Sequence, residues 1–192
     1  GVWTPKGKAS LAASYLRDAG SEGNANIDPA IVGGVAPTWD AVNGWIFNGL
    51  TQYLKTGIVP TNTYSVFVRY TTLTNTGYIL GESDAINVGT FGLAPTRGGG
   101  KVRYLHGNAS TDVAPSLTAG SLAMAGASGY RNGVSDSALA AFTGATTFDI
   151  YIGCVNSAGV AAVFAAHYAQ YISIYNTTIT APQVAALHAA TV

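Results

Sequence analysis

Short stretches in which apolar and polar residues alternate dominate the chain. In "TYSVFVRYT" the alternation places Tyr64, Val66, Val68 and Tyr70 on one face of a strand. "TFDIYIGC" and "HYAQYISIYN" alternate in the same way, and "GYILG", "KVRYLHG", "SLAMAG" and "GYRNG" are shorter strand candidates. Turn-forming Gly, Asn, Pro and Ser separate these stretches about every ten residues, which is typical of a sandwich. The pattern predicts an all-β fold of two antiparallel sheets.

Two stretches carry helical patterns. "KASLAASYLRDAG" (residues 8–20) fits a helix or a strand, and we interpret it as a strand. The tail "TITAPQVAALHAATV" is clearer, because Thr180 and Gln183 have the spacing of a capping box and Pro182 is tolerated in a first turn. We predict a short C-terminal helix from Thr180 to Ala190. Its shared face consists of Val184, Leu187 and His188.

The stretch "GWIFNGLTQYL" concentrates large aromatic rings. Trp45 and Phe47 fall on the same side of a strand, either as part of the core or as a surface on which a sugar stacks. Asn48-Gly49 is a strong tight-turn signal, so we predict a hairpin here. Trp39, in "PTWDAV", is predicted to lie in a loop and is the better candidate for exposure. Trp3 lies near the terminus, where it is available to a neighbouring chain.

Composition narrows the function further. The 192 residues fit one domain, which we predict to span 1–192. Only 9% of residues are charged and the net charge is zero, which excludes a basic footprint for nucleic acid. No apolar run approaches the roughly 18–20 residues of a membrane span. The single cysteine, Cys154, ends an apolar strand and is predicted to be a small core residue.

The order of motifs between Ala36 and Leu187 resembles the concanavalin A-like, laminin-G-like jelly-roll family. The family pattern of Phe, Asn or Asp, and Gly before a short strand is present as "GWIFNGLTQYL", followed by a Pro-containing turn and a central strand in "GIVPTNTYSVFVRYT". Towards the end, "YRNGVSDS", "FDIYIGCVNSAG" and "YISIYNTTITAPQVAAL" match the family's hairpin and last strands. The chain is also similar to versions of this domain in tailed-phage virion proteins, through "PTWD…GW.FNG…YL.TGI.P".

The resemblance implies a jelly-roll sandwich with a short C-terminal helix. It also implies that Phe47 belongs to the core, and Trp45 with it, rather than to a sugar site. Calcium is the one cofactor left open, because lectin-like jelly rolls often carry it. The candidate oxygen ligands are Asp28, Asp40, Asp84, Asn87, Asp112, Asp136 and Asn156. None forms a recognisable calcium loop, and a lone Asp more commonly stabilises a turn, so no metal site is predicted.

The sequence offers little for catalysis. A retaining glycosidase needs two carboxyl groups about 5–5.5 Å apart. The only glutamates are Glu22 and Glu82, and the nearest match to a catalytic pair is Glu82 with Asp84 in "GESDAIN". The three histidines lie in no nucleophile elbow and no zinc-binding spacing; they are His106, His167 and His188. We predict that the chain is not an enzyme.

Polar loops supply a candidate rim for a ligand. Sugar binding needs an aromatic face and a few convergent polar groups. The candidate ligand-binding residues are Trp39, Asp84, Asn87, Arg97, Arg103, His106, Asn108 and Arg131.

Low charge with abundant Gly, Ala, Thr and Asn favours a structural or adhesion module on a virion surface or outside the cell. Its predicted partners are other copies of itself or other virion proteins. The alternative is a lectin-like module that binds cell-surface glycans. Neither interpretation involves nucleic acid or membrane insertion.

Overall fold

Two β-sheets enclose a shared apolar interior. The computed structural model describes residues 1–14, 26–27, 36–84, 89–142 and 145–192. In these ranges strands are the main regular structure, and a helix follows the last strand. The predicted all-β sandwich of two antiparallel sheets with a short C-terminal helix is therefore confirmed.

The elements are numbered in chain order. They are β1 (Val2–Trp3), α1 (Leu11–Ser14), β2 (Asn26–Ile27), β3 (Thr38–Asp40), β4 (Gly44–Ile46), β5 (Leu54–Lys55), β6 (Ser65–Thr71), β7 (Leu80–Ser83), β8 (Thr90–Arg97), β9 (Lys101–Gly107), β10 (Ala109–Val113), β11 (Gly120–Ala125), β12 (Ser128–Arg131), β13 (Val134–Ala138), β14 (Tyr151–Ile152), β15 (Val155–Ser157), β16 (Val160–Ala162), β17 (Tyr168–Tyr175) and α2 (Ala181–Thr191).

The first sheet has the order β13-β12-β11-β6-β17-β4-β3, with β1 beside β17. The second sheet has the order β10-β9-β8-β7-β14-β5-β2, and the β15–β16 hairpin joins it beside β7. Neighbouring strands are antiparallel except β15, which runs parallel to β7. The three glycines at residues 98–100 connect β8 to β9.

Alternation along β6 and β17 assigns each side chain to one face of the first sheet. Val66 lies opposite Ile174, and Val68 lies opposite Ile172. These four side chains are almost fully buried in the interior between the sheets. Phe67 points the other way and packs under α2. The faces predicted from the sequence are therefore confirmed.

The C-terminal helix closes the outer face of the first sheet. Gln183 Oε1 accepts hydrogen bonds from the Thr180 backbone N–H at 2.8 Å and its hydroxyl at 3.0 Å. This contact fixes the first turn, so α2 starts where the sequence predicts. Val184 is fully buried against Phe67 and its neighbours. No helix among the described residues is long and apolar enough to cross a membrane.

The interpretation of residues 8–20 as a strand is wrong where the structure describes them. Leu11–Ser14 form the short helix α1, and residues 15–20 lie outside the described residues. The Ser10 hydroxyl accepts a hydrogen bond from the Ala13 backbone N–H at 3.1 Å, which is a local start signal for a helix. Ser14 also accepts a 2.7 Å hydrogen bond from the Trp45 indole, so tertiary contact holds this turn in place.

Trp45 and Phe47 belong to the core, as the family resemblance implies, but the predicted hairpin is wrong. β4 pairs with β3 and β17 in the first sheet, whereas β5 pairs with β14 and β2 in the second. The Asn48 side chain accepts hydrogen bonds from three successive backbone N–H groups, those of residues 50–52. This turn therefore carries the chain across the end of the sandwich instead of back along its own sheet.

The other two tryptophans also differ from expectation. Trp39 lies in β3 rather than in a loop, and its half-buried ring packs against the core. Its indole N–H donates to the Pro5 carbonyl at 2.7 Å, so the ring is held within its own chain. Trp3 is 0% exposed in the interior, which leaves none of its surface for a neighbouring chain.

Cys154 is a core residue, as predicted. It follows β14 and is buried in a small cluster with Tyr53, Tyr151 and Ala161. Burial raises the pKa of its thiol well above the ordinary value, so the thiol stays protonated and unreactive while the fold is closed.

His167 is a buried neutral base, 1% exposed. Its ring stacks on Phe47 with the centroids 4.9 Å apart, and Nδ1 lies 2.9 Å from the Ala165 carbonyl oxygen. Burial lowers the pKa of His167 to about 4, against 6.5 in an exposed histidine. Between pH 4 and pH 6.5, His167 is therefore protonated in the unfolded chain but neutral in the folded chain.

We predict that the free energy of unfolding falls as the pH drops from 6.5 towards 4, and His167 accounts for roughly 3 kcal/mol of this loss. His167→Phe retains a ring that cannot be protonated, so this variant loses less stability over the same interval. Urea unfolding at pH 7 and pH 4 measures the difference. Equal acid-induced losses in the two proteins would contradict the prediction.

Candidate functional site

The outer face of the second sheet carries a cavity of about 440 Å³, which we call the outer-face cavity. Leu80, Leu93 and Tyr104 point into the sandwich, so the alternate positions of the same strands point outwards. Strands β7 to β10 and the β15–β16 hairpin supply the walls. The lining residues are Tyr78, Ser83, Thr90, Arg97, Arg103, Leu105, Asn108, Ala109, Ser110, Val155, Ser157, Ala162 and Val163.

Two glycines lower the sheet surface beside this cavity. Gly81 on β7 lies directly opposite Gly92 on β8. A Cβ atom at Gly81 would lie 3.5 Å from a Val155 methyl, and one at Gly92 would lie 3.5 Å from a Leu105 methyl. The absent side chains therefore leave a depression between Val155 and Leu105.

The cavity lining is mixed, and we call its apolar part the floor. Tyr78, Ala94, Leu105 and Val155 form a buried cluster that is separate from the main core. Val163 is 41% exposed at the rim. A floor of this kind suits the C–H faces of a small ligand, and the polar lining residues suit its hydroxyl groups.

Arg103 and Asp112 form a bidentate ion pair across β9 and β10. Nε lies 2.6 Å from Oδ1, and Nη2 lies 2.7 Å from Oδ2. The hydrogen bond from Arg103 lowers the pKa of Asp112, and the charges of Arg103, Lys101 and Arg97 add to this effect. The same hydrogen bond raises the pKa of Arg103. Asp112 therefore fixes the plane of the Arg103 guanidinium at the cavity wall.

Arg97 lies over the ring of Tyr78, with its guanidinium carbon 5.2 Å from the ring centroid. This is a cation–π contact, and Tyr78 is only 6% exposed. Arg97 has no carboxylate partner among the described residues. The ring of Tyr78 is thus covered by a cation and is not an open aromatic face.

Three of the residues predicted from the sequence meet at the outer-face cavity. Arg97, Arg103 and Asn108 line it together. Asp84 follows the lining residue Ser83 and is half-buried at the end of β7. Asn87 lies outside the described residues.

The other three predicted residues lie elsewhere. His106 points into the sandwich, where its ring meets the edge of Phe142 at 5.1 Å between centroids. Arg131 lies in the first sheet and pairs with Asp136 at 2.9 Å. Trp39 lies in β3, the edge strand of that sheet. These side chains do not line the cavity.

Sequence reasoning missed Tyr78, Ser83, Ser157 and the paired glycines. Alternation in "GYILGES" carries a usable signal, because it places Gly81 and Ser83 on the face opposite Leu80. Ser157 had no such signal. It reaches the cavity only because β15 pairs in parallel with β7, a long-range contact that no local pattern indicates.

Most of the candidate calcium ligands that the structure describes have other partners. Asp40 accepts hydrogen bonds from the backbone N–H groups of Val42 and Asn43, as a turn-forming aspartate does. Asp112 and Asp136 pair with arginines, and Asn156 bonds to Asp149. Asp28 and Asn87 lie outside the described residues. Within those ranges, no three His, Cys, Asp or Glu side chains gather to hold a metal ion.

Comparison with known proteins supports the fold alone. No family model and no curated protein matches the chain. A sialidase of Trypanosoma rangeli in complex with the inhibitor DANA has a TM-score of 0.57 at 18% identity, covering 80% of this chain and 28% of that one. A variant of the NanB sialidase of Streptococcus pneumoniae has a TM-score of 0.55 at 14% identity, covering 79% and 28%.

A third solved structure is a carbohydrate-binding module. It is the CBM40 of the Ruminococcus gnavus IT-sialidase, bound to α2,3-sialyllactose, with a TM-score of 0.50 at 14% identity. The match covers 67% of this chain and 84% of that one. The chain therefore has a β-sandwich fold of the kind found in these proteins, and it spans 28% of the length of the sialidase chains above.

We predict that the Arg103–Asp112 pair contributes little to stability, with a coupling energy of about 0.5–1 kcal/mol. Both side chains retain 27% of their exposure, so solvent weakens the attraction. A double-mutant cycle with Arg103→Ala and Asp112→Ala, followed by urea unfolding, measures the coupling. A coupling above about 2 kcal/mol would show that the pair holds the fold together and does not merely orient a guanidinium.

Proposed function

We propose that this chain is a non-catalytic carbohydrate-binding module whose ligand occupies the outer-face cavity. One observation carries the proposal: an apolar floor adjoins Arg97, Arg103 and Asn108 on one face of the second sheet. A sugar ring needs both kinds of surface, since its C–H groups prefer apolar contact and its hydroxyl groups need donors and acceptors. A volume of about 440 Å³ also falls within the range of small-molecule sites.

The charge at the cavity favours a sugar that carries an acidic group. Arg97, Arg103 and Lys101 lie close enough to Asp112 to lower its pKa, and they outnumber that one carboxylate. Asp112 pairs with Arg103 and not with Arg97, so Arg97 is the lining cation that is left to bind a ligand. We therefore assign the acidic group to Arg97 and the neighbouring hydroxyl groups to the Arg103–Asp112 pair. The sialyllactose bound to the Ruminococcus gnavus module makes this trisaccharide a suitable probe.

We propose a non-catalytic function because of where the acidic residues lie. Glu82 is 0% exposed and lies on the interior side of β7, away from the outer-face cavity. Asp112 is occupied by Arg103. A pair of carboxyl groups on either side of a bound sugar, as glycoside hydrolysis requires, is not among the described lining residues.

We predict that Arg97→Gln weakens the binding of α2,3-sialyllactose at least about tenfold, since a charge-assisted hydrogen bond contributes roughly 1.5–3 kcal/mol. Lactose, which lacks the acidic sugar, binds both proteins weakly and to a similar extent. Isothermal titration calorimetry provides the dissociation constants. Arg69→Gln is the matched control, because it removes the same charge from β6 in the other sheet.

Comparison with Arg69→Gln distinguishes an effect at the cavity from an effect of overall charge. Equal losses in Arg97→Gln and Arg69→Gln would mean that overall charge, not the cavity, attracts the ligand. Unchanged affinity in Arg97→Gln would contradict the assignment of the acidic group. No binding of a broad glycan panel by the native protein would overturn the proposed function itself.

Display on a virion or cell surface remains a prediction from the sequence resemblance, and so does self-assembly. Light scattering tests assembly and the calcium question together. The predicted assembly gives a mass that is a multiple of 19.6 kDa and does not change with a calcium chelator. A constant monomer mass would exclude self-assembly by this chain alone, and dissociation by the chelator would show that calcium contributes.

A further inference from the structure

Glu82 occupies an unusual position for a carboxyl group. It lies on β7 with its side chain inside the sandwich, opposite Phe91 on β8 and Asn156 on β15. It is 0% exposed. Neither of its carboxyl oxygens has a hydrogen-bond partner among the described residues. Burying an ionised group in this way is very costly unless a counter-charge is present.

Among the described residues, the groups that face Glu82 provide no positive charge. Asp84, two residues further along, repels an ionised Glu82 and so raises its pKa. On β9, His106 lies one strand beyond Phe91 on the same face, and burial lowers its pKa and keeps it neutral. On β15, the Asn156 amide donates to the backbone and carboxylate of Asp149. The interior therefore accepts Glu82 as a neutral acid.

The backbone that carries Glu82 also builds the outer-face cavity. The next residue, Ser83, lines the cavity, and so do its cross-strand neighbours Thr90 and Ser157. The Ser83 carbonyl also accepts a 2.8 Å hydrogen bond from Ala158 in the β15–β16 turn. A movement of Glu82 towards solvent would therefore displace one wall of the cavity.

We propose that Glu82 is a pH-sensitive switch: as a neutral acid it holds the end of β7 in the sandwich, and on ionisation it leaves the interior and disrupts the cavity wall. The second half of this proposal rests on the proposed glycan-binding function, whereas the first half does not. Burial first, and the charge of Asp84 second, raise the pKa of Glu82 from 4.5 to about 8. The stability that the neutral acid contributes is complete below pH 4.5 and is lost as the pH rises through 8.

The composition of the chain permits a direct test. Glu22 and Glu82 are its only glutamates, so protein labelled with carboxyl-¹³C glutamate shows two side-chain signals. Glu22→Gln assigns the signal of Glu82, because it removes the only other glutamate of the chain. We expect the Glu82 signal to remain that of a protonated acid through neutral pH and to titrate near pH 8. Titration of both signals below pH 6 would overturn the switch.

Stability provides the second measurement. Between pH 5 and pH 9, the unfolding equilibrium constant of the native protein should rise at least about tenfold relative to that of Glu82→Gln, a neutral isostere. Asp84→Asn is the matched control, since it removes a neighbouring charge and leaves the buried acid in place. Parallel pH profiles in the native protein and Glu82→Gln would also overturn the switch.

Ligand binding separates this proposal from the proposed function. We expect the affinity for α2,3-sialyllactose to fall by at least about tenfold between pH 6 and pH 9 in the native protein but not in Glu82→Gln. Loss of stability without loss of affinity would overturn the coupling to the cavity. No sialyllactose binding at any pH in either protein would count against the proposed function, while the titration of Glu82 would still decide the switch.

Discussion

The antiparallel pairing of β6 with β17 is the contact on which the rest of the sandwich depends. It joins residues 65–71 to residues 168–175, so the two strands meet across about half of the chain. β11, β4 and β1 then add to the sides of this pair. Contacts at such a sequence separation form slowly, because a long loop must close before they contribute stability. The inward row of Val66, Val68, Ile172 and Ile174 provides the apolar burial that offsets this cost.

The two outer faces of the sandwich are used differently. On the first sheet, Phe67 and its neighbours are covered by α2, so that face is occupied by the chain itself. On the second sheet, the glycine pair and the small cluster around Leu105 leave a depression with arginines at its wall. β7 contributes to both sides of this sheet. Gly81 and Ser83 face the depression while Leu80 and Glu82 face the interior, so a single strand couples the core to the site.

Local patterns predicted the parts of the fold that local physics determines. The faces of β6 and β17 follow from strict alternation, and the start of α2 follows from Thr180 and Gln183. The crossing after Phe47 was not predictable in this way. An Asn-Gly pair is compatible with a hairpin, and only the pairing of β5 in the other sheet excludes one. The division of the chain into a single domain also remains a prediction.

The candidate site was predictable only in part, for the same reason. Arg97, Arg103 and Asn108 are polar residues on adjacent strands, and sequence reasoning singled them out. His106 shares a strand with Arg103, yet its position three residues further along gives it the interior face. Tyr78 and Ser157 reach the cavity through long-range pairing. Spatial neighbours of this kind carry no signature in a single sequence.

The position of Cys154 has a practical consequence. It is the only thiol in the chain and is 0% exposed beside Tyr53 and Tyr151. A thiol-specific reagent can therefore modify the protein only while the sandwich is open around β14. The rate of modification thus measures how often this region opens under native conditions, without denaturant and without an engineered cysteine. Cys154 therefore reports local opening of the second sheet beside β7, which lines the cavity.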